Sequence, residues 1–172
     1  MKIICFGDSN TWGYDPRGYF GGRYDTPWPF LMNKMTPWEV INNGQNGRII
    51  PGEMPPCTAD LLIVMLGTND LLQGFTPEHI CKEMETFLRS VPIPVLLIAP
   101  PLMKKGEWVD DNLIHSSCAM TQAYGDLASW LKIPFCDAEQ WHIPIAYDGV
   151  HFTESGHRIF AENLIQYLKE HL

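Results

Sequence analysis

The chain has 172 residues, 45% of them hydrophobic, with 12 basic residues against 20 acidic ones and a formal net charge of −8. A chain of this length buries a sizeable core without disulfide or metal staples, so residues 1–172 are read as one domain. The acidic balance repels phosphate backbones and anionic lipid, which excludes nucleic acid and a membrane surface as expected partners.

Lys2–Phe6 is a short apolar run stopped by Gly7, the pattern of a buried strand. Residues 13–29 are rich in Gly, Tyr, Pro and Asp and read as a long loop, followed by a short helix over Pro29–Met35 and a strand over Glu39–Asn43. An irregular stretch with three Gly and three Pro fills 44–58. Asp60–Leu66 is a continuous apolar strand ended by Gly67. Thr76-Pro77-Glu78 starts a helix with a capping hydroxyl, proline at its first position and an acid in its first turn. That helix should run to about Ser90, and Val95–Ala99 is the next buried strand, stopped by Pro100-Pro101. Asn112–Leu131 reads as a helix weakened by Gly125, Ile133–Cys136 as a short strand, and Thr153 as the cap of a final helix reaching about Glu170.

Strands alternate with helices, and the strands are apolar on both faces. That is the signature of α/β architecture: a three-layer α/β/α sandwich around a five-stranded parallel sheet. In such sheets, sites form in the loops beyond the carboxyl ends of the strands. Attention therefore falls on residues 7–14, 44–48, 67–74, 100–112 and 137–151.

The five cysteines, at 5, 57, 81, 118 and 136, are odd in number and contain no CxxC pair, which fits reduced thiols in the cytoplasm. No basic-then-apolar targeting segment is visible, and the longest apolar run, Leu61–Leu66, is far short of a membrane span. No metal is expected, because HExxH is absent and the Cys and His residues lack finger-like spacing.

Four of the site-end loops carry chemistry-bearing residues. Gly7-Asp8-Ser9-Asn10 places a hydroxyl just past a strand end, near free N–H groups that favour developing negative charge. Asp148-Gly149-Val150-His151 lets a carboxylate fold back onto the Nδ1–H of an imidazole, freeing Nε2 to activate a serine. Gly67-Thr68-Asn69-Asp70 offers an uncharged amide donor for an oxyanion. In Asn43-Gly44-Gln45-Asn46-Gly47-Arg48, either Gly44 or Gly47 could supply a backbone donor. Each stretch alone is also an ordinary turn, and the four together are what point to nucleophilic catalysis.

These stretches resemble the four sequence blocks of the SGNH/GDSL hydrolases, in the same order: Phe6-Gly7-Asp8-Ser9-Asn10, Asn46-Gly47-Arg48, Gly67-Thr68-Asn69-Asp70 and Asp148-Gly149-Val150-His151-Phe152. Ser9-Asn10-Thr11-Trp12-Gly13 and Val64–Asp70 look most like the aryl esterase/acyltransferase branch of that family. The resemblance implies a flavodoxin-like sandwich, no cofactor, and hydrolysis or transfer of small acyl groups through an acyl-enzyme. It implies Ser9, Asp148 and His151 as the catalytic residues. It also implies an oxyanion hole of the Ser9 N–H, the Gly47 N–H and the Asn69 side chain. Gly47 is preferred because the family's second-block glycine commonly precedes a polar residue such as Arg48. Asn10 departs from the family, which usually has Leu or Ile there, and this bears on the shape of the acyl pocket.

Asn10 and Trp12 are expected at the substrate pocket, with Trp12 equally suited to the core. Trp108 is either a lid element or a partner contact. Together with the loop residues Trp28 and Phe30, it points to a subunit contact in a homo-oligomer. His115, Ser116 and Ser117 fall inside a helix, and His142 and His157 read as surface or core residues. The expected partner is a small-molecule ester. The rival readings are a flavin- or nucleotide-binding module and a non-catalytic protein on the same sandwich.

Overall fold

The structure, a computed structural model, describes residues 1–18 and 21–171. In chain order it begins with β1 (Lys2–Gly7), α1 (Ser9–Trp12), β2 (Tyr14–Asp15), β3 (Gly22–Arg23), α2 (Trp28–Met35) and β4 (Glu39–Gly44). There follow β5 (Leu61–Met65), α3 (Thr68–Leu72), α4 (Pro77–Ser90), β6 (Val95–Ala99), α5 (Asp111–Leu131), β7 (Phe135–Asp137) and α6 (Glu154–His171). Five strands form one parallel sheet in the order β4-β1-β5-β6-β7.

Alternation along each strand sends side chains to opposite faces. Ile4, Phe6, Leu62, Val64 and Leu97 meet α4 and α5 on one face, where Phe6 stacks on Phe87 at 5.4 Å between ring centroids. Ile3, Cys5, Ile63, Leu96 and Ile98 meet α2 and α6 on the other, where Trp28 packs on Phe160 at 4.9 Å. The expected sandwich is the one observed.

Local chemistry sets the helix ends. Thr76 caps α4 by accepting from His79 N–H at 3.3 Å, and Asp110 caps α5 by accepting from Leu113 N–H at 2.9 Å. Thr153 accepts from Gly156 N–H at 3.0 Å at the start of α6. Helix α5 passes through Gly125 unbroken.

Several expectations need correction. The expected loop at 13–29 contains the small β2–β3 hairpin, although residues 19 and 20 of it lie outside the described residues. The final strand is shifted to Phe135–Asp137. Trp28 is not a surface residue for a subunit contact, because it is fully buried as the first residue of α2. Phe30 and Trp108 are exposed, at 41% and 47%.

Strand β4 is an open edge of the sheet. Two of its N–H groups that turn away from β1 are nevertheless occupied: Val40 N–H donates to Asn33 Oδ1 at 3.1 Å and Gly44 N–H to Asn42 Oδ1 at 2.9 Å. No helix among the described residues is long and apolar enough to cross a membrane.

Candidate active site

Strand β1 ends at Gly7, where the chain must turn sharply into α1. A Cβ at Gly7 would collide with the Thr11 side chain, so only glycine allows the approach. Asp8 caps the four-residue α1 by accepting from Asn10 N–H at 3.0 Å, and Gly13 ends it in the left-handed region at φ 100°. Ser9 is thus held at the first position of α1, beyond the carboxyl end of a central strand.

The facing turn is built from 144–153. Ile145 and Phe152 pair antiparallel, and Gly149 takes φ 84° between Asp148 and Val150. Asp148 Oδ1 accepts from Val150 N–H at 2.9 Å and from His151 N–H at 3.0 Å. Asp148 Oδ2 lies 2.7 Å from His151 Nδ1, and His151 Nε2 lies 2.9 Å from Ser9 Oγ. The two stretches of chain therefore meet in one hydrogen-bonded line running Asp148–His151–Ser9. All three side chains are buried, which strengthens each bond by excluding water.

The electrostatics follow from this packing. Burial pushes the Asp148 carboxyl up, but the hydrogen bonds from the His151 ring, His151 N–H and Val150 N–H outweigh it and hold the carboxyl below its ordinary value. An ionised Asp148 keeps the imidazole proton on Nδ1 and leaves the Nε2 lone pair facing Ser9. Asp8 goes the other way: burial raises it to about 6, against the opposing pull of Asn10 N–H, His151 and Thr68.

Gly47 and Asn69 lie beyond the carboxyl ends of β4 and β5, the two strands that flank β1. Gly44 N–H is committed to Asn42 Oδ1, and a Cβ there would strike the Thr11–Trp12 backbone, so Gly44 serves close packing. Gly47 is exposed at φ 72°, and its N–H makes no hydrogen bond among the described residues. Asn69 Nδ2 donates one hydrogen to Arg48 O at 3.0 Å, which orients the amide and leaves its second hydrogen available. Asp70 Oδ1 accepts from Ile50 N–H at 3.2 Å and ties the same two loops together. Arg48 stacks over Phe6 at 4.1 Å and donates to Gly7 O at 3.1 Å, fixing the segment that carries Gly47.

Asn10 is not a pocket wall. It is buried, donating from Nδ2 to Val150 O at 3.1 Å and accepting at Oδ1 from Phe152 N–H at 2.8 Å. Trp12 is half-buried under the Arg23 guanidinium at 5.0 Å, with its carbonyl accepting from Arg23 Nε. Two aromatic rings flank His151: Tyr14 at 4.5 Å, tilted, and Trp108 at 5.4 Å, edge-on. Tyr14 carries no motif, and sequence reasoning missed it. Its only signal was membership of the first site-end loop.

Trp108 belongs to a strap that lies along the base turn. Lys104, Glu107 and Trp108 N–H groups donate to Gly149, Tyr147 and Asp148 carbonyls at 2.9, 3.1 and 3.1 Å. The remaining candidates lie elsewhere. His115 and His142 are exposed, and Ser117 Oγ is engaged with Ile114 O and Met103 N–H. His157 is a core residue: burial holds it down to about 3, reinforced by His151, and Nδ1 accepts from Trp28 N–H. Among the described residues no group of three His, Cys, Asp or Glu could hold a metal.

Residues 5–159 match the GDSL-like lipase/acylhydrolase family. The chain belongs to that family. No curated protein matches it. The native M. smegmatis aryl esterase superposes with a TM-score of 0.85 at 26% identity, over 99% of each chain. A carbohydrate acetylesterase from Sinorhizobium meliloti gives 0.83 at 21% identity over 99% of each chain, and a G-D-S-L lipolytic protein from Veillonella parvula gives 0.76 at 23% over 98% of each. These last two share the sandwich with the family member described here.

Proposed function

We propose that the protein hydrolyses small acyl esters through an acyl-enzyme on Ser9. The observation that carries this is the 2.9 Å approach of His151 Nε2 to Ser9 Oγ, with Nδ1 fixed 2.7 Å from Asp148. His151 takes the Ser9 proton as Oγ attacks the ester carbonyl, and Asp148 stabilises the imidazolium that forms. The carbonyl oxygen, now negative, accepts from the Ser9 and Gly47 N–H groups and the free hydrogen of Asn69. The tetrahedral adduct collapses, the C–O bond to the alcohol breaks, and His151 returns the proton to the leaving oxygen. A water, or a second alcohol in a transfer reaction, then repeats the sequence and frees Ser9.

Tyr14 and Trp108 flank the imidazole that protonates the leaving group, so an alcohol meets these rings first. The aryl esterase relative makes aryl acetates the first substrates to try. The cysteines are all free, which fits a reducing cytoplasm. A fluorophosphonate probe should label the wild type, which should also hydrolyse p-nitrophenyl acetate. Ser9→Ala should lose both. Undiminished labelling or turnover in Ser9→Ala overturns the assignment.

A further inference from the structure

We infer that Asn10 is a positioning residue for the catalytic base: its amide fixes the peptide groups on both sides of His151. This rests on the serine-hydrolase reading above and adds a component to it. Four backbone polar atoms belong to the two peptide groups that flank His151. His151 N–H donates to Asp148 Oδ1 at 3.0 Å, and His151 O accepts from Ala146 N–H at 2.7 Å. The other two, Val150 O and Phe152 N–H, are both held by the single amide of Asn10, at 3.1 and 2.8 Å. The backbone of His151 is therefore clamped on each side, and half of the clamp comes from the residue next to Ser9.

That adjacency matters for geometry. Asn10 is itself fixed, with its N–H on Asp8 Oδ1 at 3.0 Å and its side chain buried. Ser9 and His151 are 142 positions apart in sequence, yet one rigid planar group spans from the nucleophile's helix to the base's turn. A Leu or Ile would fill similar space but make neither bond. It would leave a buried carbonyl and a buried N–H unpaired beside the base, free to rotate the imidazole away from Ser9. A base displaced by about an ångström can cost on the order of 100-fold in rate.

The test compares Asn10→Ala and Asn10→Asp with the wild type and Ser9→Ala, on p-nitrophenyl acetate, well below each melting temperature. Asn10→Ala should lower kcat by about 10- to 100-fold with KM changed less than about threefold. The low-field proton resonance of the His151 Nδ1–H should broaden or vanish. Asn10→Asp provides the rescue. Protonated, its carboxyl donates to Val150 O and accepts from Phe152 N–H, reproducing both bonds. Ionised, it only accepts, and it faces a carbonyl oxygen. The groups around it are Asp8, Asp148 and His151, present in both proteins, so the ratio to wild type isolates the new carboxyl. That ratio should fall by about tenfold as pH rises from ~6 to ~8, since burial raises a carboxyl's pKa.

Folded Asn10→Ala with wild-type kcat and an unchanged resonance overturns the inference. If Asn10→Ala fails to fold, a pH-independent ratio for Asn10→Asp overturns it. Loss of the hydrolase reading is a separate outcome, visible as full activity in Ser9→Ala.

Discussion

The base turn around His151 and the segment that carries Gly47 and Asn69 are built on opposite plans. Around His151, each polar atom of the flanking peptides has a partner inside the chain, and the side chains are buried. Around Gly47, one backbone donor is left without a partner among the described residues and the Asn69 amide keeps a hydrogen in reserve. The glycines differ accordingly. A Cβ at Gly106 in the strap would run into the Asp148–Gly149 peptide, whereas one at Gly47 would meet nothing within 4 Å. Under the proposed function the contrast has a chemical logic. Groups that pass a proton work only at a fixed separation, so they are locked beforehand. Donors that serve a charge present only in the transition state must stay uncommitted until it arrives.

Three changes would break or sharpen this contrast. The largest effect is expected from Asp148→Asn. Its oxygen can still accept from the two backbone N–H groups, but its amide nitrogen would face Nδ1 and force the ring proton onto Nε2, toward Ser9. Steady-state kinetics should show kcat lower by about 10,000-fold in a folded protein; a loss under tenfold would mean the tautomer does not matter. Next is Asn69→Ala, which removes one uncommitted donor. We expect kcat to fall by about 100- to 1,000-fold with KM little changed. A rise in KM with kcat intact would move Asn69 from transition-state stabilisation to ground-state binding.

The smallest effect concerns stability, and it measures what the locked side costs. The Asp8 carboxyl is raised by burial to about 6 in the folded chain from an ordinary 3.8. Such a group binds more protons folded than unfolded, so the wild type loses stability as pH rises through that window and nothing below it. Asp8→Asn keeps an oxygen for Asn10 N–H and cannot ionise. Its denaturant midpoint relative to wild type should therefore climb between pH ~4 and ~6, by up to roughly 3 kcal/mol in stability. A constant difference across that range would show that Asp8 is not charged at a cost.

What was legible in the sequence followed from physics that acts locally. Strands β1, β5 and β6 are apolar on both faces and are found within two residues of their expected ends. The candidate residues Ser9 and Asn69 stand just past the carboxyl ends of β1 and β5, and His151 stands in the stretch between β7 and α6, where the strand-end rule directs attention. What was not legible depends on distant partners or short length. Helices α1 and α3 have four and five residues, too few for a periodic pattern to register. Trp28 sits in a Pro-rich stretch that resembles a loop, and distant partners such as Phe160 and His157 make it core. Asn10 looks like a pocket residue from its place beside Ser9, because the two backbone groups it holds come 140 and more positions later.

The occupied edge of β4 has a consequence for how the molecule behaves in a crowded solution. An incoming strand gains affinity by bonding to free backbone groups along a sheet margin. Here it would first have to evict the Asn33 and Asn42 side chains from Val40 and Gly44, trading bonds instead of adding them. The margin nearest the candidate site is thereby a poor template for cross-β growth, and two asparagine side chains act as its gatekeepers.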